Sequence, residues 1–130
     1  MKIRLTSVFV SDQQKALDFY TETLGFEMKH DIPLGEYRWL TVVSPEDENG
    51  AELLLEPDAH DAARAYQGAI FGDGIPAAAF EVDDLAADHA RLSEAGVRFT
   101  AQPTDVGTAI IAVLDDTCGN LIQLYQTKPE

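Results

Sequence analysis

Glu52 and Gln123 are polar side chains set at corresponding places in two apolar, strand-like stretches, 51–56 and 120–126. A carboxylate held in a cleft away from water and cations is a candidate general base. A carboxylate beside an amide is also a candidate, though weak, pair of ligands for a divalent metal. Strand alternation sends Glu52, Leu54 and Glu56 to one face and Leu53 and Leu55 to the other. The same rule groups Tyr37, Trp39 and Thr41, and it groups Gln123 with Tyr125. Two carboxylates in one groove favour a cation. Trp39, the only tryptophan, offers with Tyr37 a stacking surface for a flat or cationic ligand, or else packs in the core or at a dimer interface. Tyr125 offers a phenol. Arg38 either pairs an anionic ligand or neutralises nearby acids.

The remaining chemistry-bearing residues are scattered. His30 ends a short strand and His60 lies in a connector that would bring it to a cleft only by moving. His89 follows Leu85 by four and precedes Leu92 by three, the spacing of a packing residue on a helical stripe. Cys118 is the only cysteine, so no intrachain disulfide forms, and a reducing cytoplasm is the expected location. Nothing near it in sequence would activate its thiol. Gly72-Asp73-Gly74 is too short for a phosphate cradle and reads as a turn. No nucleophile–base pair stands out.

The elements that must position these groups are written twice. The first half reads β, α, β, β, β: strand 3–10, helix 12–24, strands 26–30, 37–43 and 51–56. Ser11 with Gln14 reads as a capping box, and Ala16, Leu17, Tyr20 and Leu24 form one stripe. The second half repeats the order: strand 75–82, a helix capped by Asp83 or Asp84, then strands 97–100, 108–114 and 120–126. Val10-Ser11-Asp12 matches Val82-Asp83-Asp84, and Gly25 and Gly96 stop the two helices as residues with φ > 0. Trp39–Val43 matches Ala109–Val113, and Glu52 is set on Gln123. Module one is 1–56, module two is 75–130, and the connector 57–74 holds a short helix over 59–66 loosened by Gly68, Gly72 and Gly74. The tail 127–130 reads as frayed.

The composition sets limits on function. The chain has 130 residues, of which 45% are hydrophobic, and a formal net charge of −14. That charge argues against nucleic acid, whose affinity comes from cationic contacts to phosphate, and against an anionic membrane surface. No apolar run is long enough to span a bilayer, and the N-terminus passes straight into a strand with no room for a signal peptide. The acidity reflects solubility or an acidic cleft for a cationic ligand.

Two βαβββ modules with V-x-D before each helix and L-G or A-G after it resemble the vicinal oxygen chelate superfamily, which holds glyoxalase I, extradiol dioxygenases and the bleomycin- and fosfomycin-resistance proteins. The stretches "FVSDQQKALDFYTETLGFE", "FEVDDLAADHARLSEAGV" and "LDDTCGNLIQLY" carry the resemblance. It implies an α+β fold of tandem modules forming a curved half-barrel sheet with a central cleft. Four inward positions hold the metal in metal-dependent members, and here they fall on Leu5, Glu52, Ala77 and Gln123. Leu and Ala cannot ligate, so no metal or other cofactor is expected beyond weak divalent binding at Glu52 and Gln123. The expected function is metal-independent binding of a small, cationic or aromatic molecule between the modules, by a homodimer. The alternative is a glyoxalase-like or dioxygenase-like enzyme using Glu52 and Gln123, with a Glu–Gln hydrogen bond across the pseudo-two-fold axis.

Overall fold

The computed structural model describes residues 1–129. The order is β1 (Leu5–Val10), α1 (Gln13–Asp18), a π-helical segment (Phe19–Thr23), β2 (Glu27–Leu34), β3 (Tyr37–Val43), β4 (Glu52–Pro57) and α2 (Asp61–Gly72). It continues with β5 (Ala78–Glu81), α3 (Leu85–Glu94), β6 (Phe99–Asp105), β7 (Ala109–Asp115) and β8 (Leu121–Thr127). The strands form two open four-stranded sheets, ordered β1-β4-β3-β2 and β5-β8-β7-β6. In each, the first strand lies parallel to the last, and the remaining pairs are antiparallel. The expected α+β architecture of two βαβββ units is therefore present.

The cap of α1 is Asp12 rather than Ser11. Asp12 has the extended backbone of an N-cap, and its carboxylate accepts the Lys15 N–H at 3.0 Å. After Asp18 the helix widens by one residue: the Leu24 N–H donates to the Phe19 carbonyl, and the Thr21 hydroxyl donates to the Leu17 carbonyl at 2.6 Å. The wider turn lets the neighbours Phe19 and Tyr20 both enter the core. Gly25 and Gly96 adopt φ of +92°, so a side chain at either would be strained.

The helix-bearing faces of the two sheets share one core. Val8, Val10, Leu40, Val42, Leu53 and Leu55 come from the first sheet, and Ala112, Leu114, Ile122 and Leu124 from the second. Tyr20 and Phe26 meet Phe80 of β5 edge-on, with centroids 6.4 and 5.1 Å away. By alternation, the faces carrying Glu52 and Gln123 lie on the opposite sides of their sheets from this core.

Several local expectations change. The connector helix is longer than 59–66 and runs through Gly68 to Gly72, so these two glycines do not loosen it; the burial of Ala63 and Gln67 outweighs their propensity. β2 extends four residues past His30 because the turn at Gly35 closes a hairpin with β3. In the tail, Lys128 Nζ pairs with Asp105 Oδ2 at 2.6 Å and its N–H donates to the Thr108 carbonyl, so Lys128 is held; Glu130 lies outside the described residues. Among the described residues, no helix is long and apolar enough to cross a membrane.

Candidate functional site

The open face of the first sheet gathers the aromatic candidates. Cross-strand register sets Ile32 against Trp39 and Leu34 against Tyr37 on β2 and β3, and Thr41 against Leu54 on β3 and β4. Tyr37 is exposed, Trp39 is half-buried and Leu54 is buried, while Ile32 and Leu34 remain exposed. This is an apolar and aromatic surface without a covering element from the same sheet. Glu52 and Glu56 flank Leu54 on the same strand face, as alternation requires.

Glu52 is not an unpartnered carboxylate. The Thr41 hydroxyl donates to its Oε1 at 2.9 Å. His30 Nε2 stands 3.6 Å from the same oxygen, and Lys29 Nζ stands 4.0 Å from Oε2. A β-bulge explains the presence of both side chains. Met28 pairs with Val42 and His30 with Thr41, so Lys29 is the extra residue and His30 is turned onto the Thr41 face. The His30 N–H also donates to the Thr41 hydroxyl at 3.2 Å. The sequence reading missed His30 because a bulge leaves no mark in apolar periodicity.

The other histidines are structural. His60 caps α2, its Nδ1 accepting the Ala62 N–H at 3.0 Å, and is not brought to the open face. His89 packs edge-on against Phe99 and contacts Gln102 at 2.8 Å, the half-buried packing residue the spacing predicts. Arg38 makes a forked pair with Asp31, at 3.0 and 2.7 Å, and holds its carboxyl below the ordinary range mainly through those hydrogen bonds. Of its two expected roles, it takes the neutralising one.

The strand register also revises which residues correspond. Gln123 pairs with Ala79 and Val113. In the first sheet, Ser7 and Thr41 occupy the matching places, and both pair with Leu54. Leu54, not Glu52, is the counterpart of Gln123, and Trp39 matches Ile111 rather than Ala109. Glu52 pairs with Leu5 at the strand start. Among the described residues, no hydrogen bond joins Glu52 to Gln123; the carboxylate is taken up by Thr41. Gln123 and Tyr125 do share a half-buried face of β8.

These residues do not fit a divalent metal. Leu5 and Ala77 carry no donor atom, which leaves Glu52 and Gln123, one carboxylate and one neutral amide on different sheets, where a cluster of imidazoles and carboxylates is required. Among the described residues, no three His, Cys, Asp or Glu side chains gather in a way that could hold a metal ion.

A buried polar cluster joins the halves instead of lining a groove. Asp116, fully buried, accepts from the Cys118 and Asn120 N–H groups at 2.8 and 3.0 Å, from the Asn120 amide at 2.8 Å and from the Tyr20 phenol at 2.6 Å. Burial, then the Asp116 charge, pushes the Tyr20 phenol well up. Burial likewise pushes the Cys118 thiol up to about 11, so it is inert at neutral pH, as its sequence neighbourhood implies.

The chain is similar to known proteins in sequence and fold. Residues 2–124 match the family described as Glyoxalase/Bleomycin resistance protein/Dioxygenase superfamily. The protein YurT of Bacillus subtilis (strain 168) is 57% identical over 126 residues, covering 97% of this chain and 99% of its own. A lactoylglutathione lyase of Neisseria meningitidis is 30% identical, covering 98% and 92%. The crystal structure of TnmS3, an antibiotic binding protein from Streptomyces sp. CB03234, is 32% identical and covers 98% and 97%, with a TM-score of 0.79.

Proposed function

The chain belongs to the Glyoxalase/Bleomycin resistance protein/Dioxygenase superfamily, and from that premise we propose that it binds an aromatic, cationic small molecule without a metal. The observation that carries this reading is the face built by Trp39, Tyr37, Ile32 and Leu34 beside the carboxylates Glu52 and Glu56, where two of the four metal positions hold Leu5 and Ala77. Stacking supplies affinity and the carboxylates select positive charge. The likeness to an antibiotic binding protein supports a small-molecule ligand.

The reading includes a homodimer in the cytoplasm. Exposed Leu5, Ile32, Leu34 and Tyr37 suit coverage by a second copy, whose Gln123 and Tyr125 would complete the groove. The single thiol, buried and unpaired, suits a reducing compartment.

The test is a calorimetric titration with proflavine, a planar aromatic cation, alongside Trp39 fluorescence. Binding that quenches Trp39 and weakens about tenfold in Trp39→Ala is expected. Binding unaffected by Trp39→Ala would refute the site, and no binding at millimolar probe would refute the ligand class.

A second reading, acid–base catalysis, draws on the 3.6 Å approach of His30 to Glu52. It requires measurable lactoylglutathione lyase activity that is lost in Glu52→Gln. Absence of that activity leaves the binding role.

A further inference from the structure

Each edge strand beside the internal seam faces a turn of the other module, and the two seams differ. At β1, the Ser11 N–H donates to the Cys118 carbonyl at 3.1 Å, and the Phe9 carbonyl accepts from Gln67 and Asn120 at 2.9 and 2.7 Å. The turn after β7 therefore closes against β1. At the corresponding place in the other half, the turn after β3 does not close against β5. A cavity of about 580 Å³ stands there, between Ser44-Pro45-Glu46 on one side and Ala79–Asp84 on the other.

The cavity has a distinct chemical character. Its floor is apolar: Phe26 and Phe80, packed edge-on at 5.1 Å, with Leu92 and Leu124. Its rim carries five carboxylates, Glu46, Glu81, Asp83, Asp84 and Asp88, against one guanidinium, Arg91. Asp88 is paired with Arg91 at 3.5 Å, and Asp84 caps α3 through the Ala87 N–H. Among the described residues, the side chains of Glu46, Glu81 and Asp83 have no hydrogen bond or ion pair. The α3 N-terminus that opens here already holds Asp84, so an anion gains nothing from it.

We propose that this inter-module cavity is a second ligand site, separate from the open sheet face, and that it takes a small organic cation with an aromatic body. The volume suits a drug-sized molecule, the floor supplies apolar burial, and the free carboxylates receive the ammonium. Low dielectric at the floor strengthens that attraction, and added salt weakens it at the rim.

The experiment is a calorimetric titration of the full chain with 1-naphthylmethylammonium, with 1-naphthoate and 1-naphthylmethanol as controls of charge. The ammonium probe is expected to bind, to weaken about tenfold in Glu81→Gln/Asp83→Asn and in Ala87→Trp, which fills the cavity, and to bind Trp39→Ala unchanged. Salt is expected to weaken it. Equal binding of the carboxylate probe, insensitivity to both cavity variants, or no binding at millimolar probe would overturn the proposal. Loss of binding in Trp39→Ala alone would assign the probe to the open face and overturn it too. Because the double variant is confined to exposed side chains, it remains informative should Ala87→Trp fail to fold.

Discussion

The phenol of Tyr20, from the first helix, donates a 2.6 Å hydrogen bond to the buried carboxylate of Asp116, in the last turn, across 96 positions of sequence. It joins the modules through groups that cannot reach water. A hydrogen bond to a charged partner in such surroundings is stronger than a neutral one, and leaving Asp116 without its donors is costly.

Tyr20→Phe is therefore expected to lower stability by about 1.5–3 kcal/mol in urea unfolding. Asp116→Ala, which strands the Cys118 and Asn120 donors as well, is expected to cost at least about 3 kcal/mol. A double-mutant cycle should show strong coupling between the two positions. Additive losses would mean that the bond contributes nothing of its own.

Alkaline pH should loosen the fold. The Tyr20 phenol and the Cys118 thiol both hold their protons to higher pH when folded, the thiol to about 11. The folded state then binds more protons than the unfolded one, so stability falls as pH rises. For Cys118, the contribution is complete below about 8.5 and is lost as pH climbs through the folded value. Cys118→Ala should flatten the slope of unfolding free energy between those limits. The native thiol should also resist Ellman's reagent at neutral pH and react on unfolding. Rapid labelling of the native protein would contradict its burial.

Incubation with Zn²⁺ or Ni²⁺ followed by dialysis should leave no stoichiometric metal, because Leu5 and Ala77 supply no donor and Glu52 and Gln123 alone are too few. Elemental analysis of the chain and of Glu52→Ala, both so treated, should agree. Stoichiometric metal that disappears in Glu52→Ala would show that Glu52, with His30 beside it, forms a site of a different kind.

Gly119 sits at φ of +97°, and a Cβ there would come within 2.6 Å of Gln67 Nε2. Gly119→Ala should cost about 1–3 kcal/mol from strain and crowding together. Gln67→Ala in the same chain should remove the crowding but not the strain, so the pair should be less than additive. Full additivity would show that Gln67 simply moves aside.

The tandem order, the glycine stops and the face shared by Trp39 and Tyr37 were legible because they rest on local rules of capping and alternation. The correspondence of β4 with β8 was not. The turn between β3 and β4 is three residues longer than the one between β7 and β8, which moves the counterpart of Gln123 from Glu52 to Leu54. Glu52 and Leu54 differ by two positions, so they share a face, and side-chain periodicity is blind to the change. The placing of His30 beside Glu52 needed the bulge at Lys29, and the Asp116 cluster needed tertiary contact; in the sequence, Asp115-Asp116-Thr117 is an ordinary acidic turn.

Gln67 belongs to the connector, yet its amide reaches the Phe9 carbonyl of the first half and the Cys118 carbonyl of the second. A sequence written twice invites the thought that either copy can be exchanged with a relative's or lost. Here the joint between the copies is made by the segment that links them, so half a gene would encode a β1 edge whose partners are missing. The heritable unit is the whole chain: recombination that swaps one half must carry α2 and its matching turn, or the seam opens.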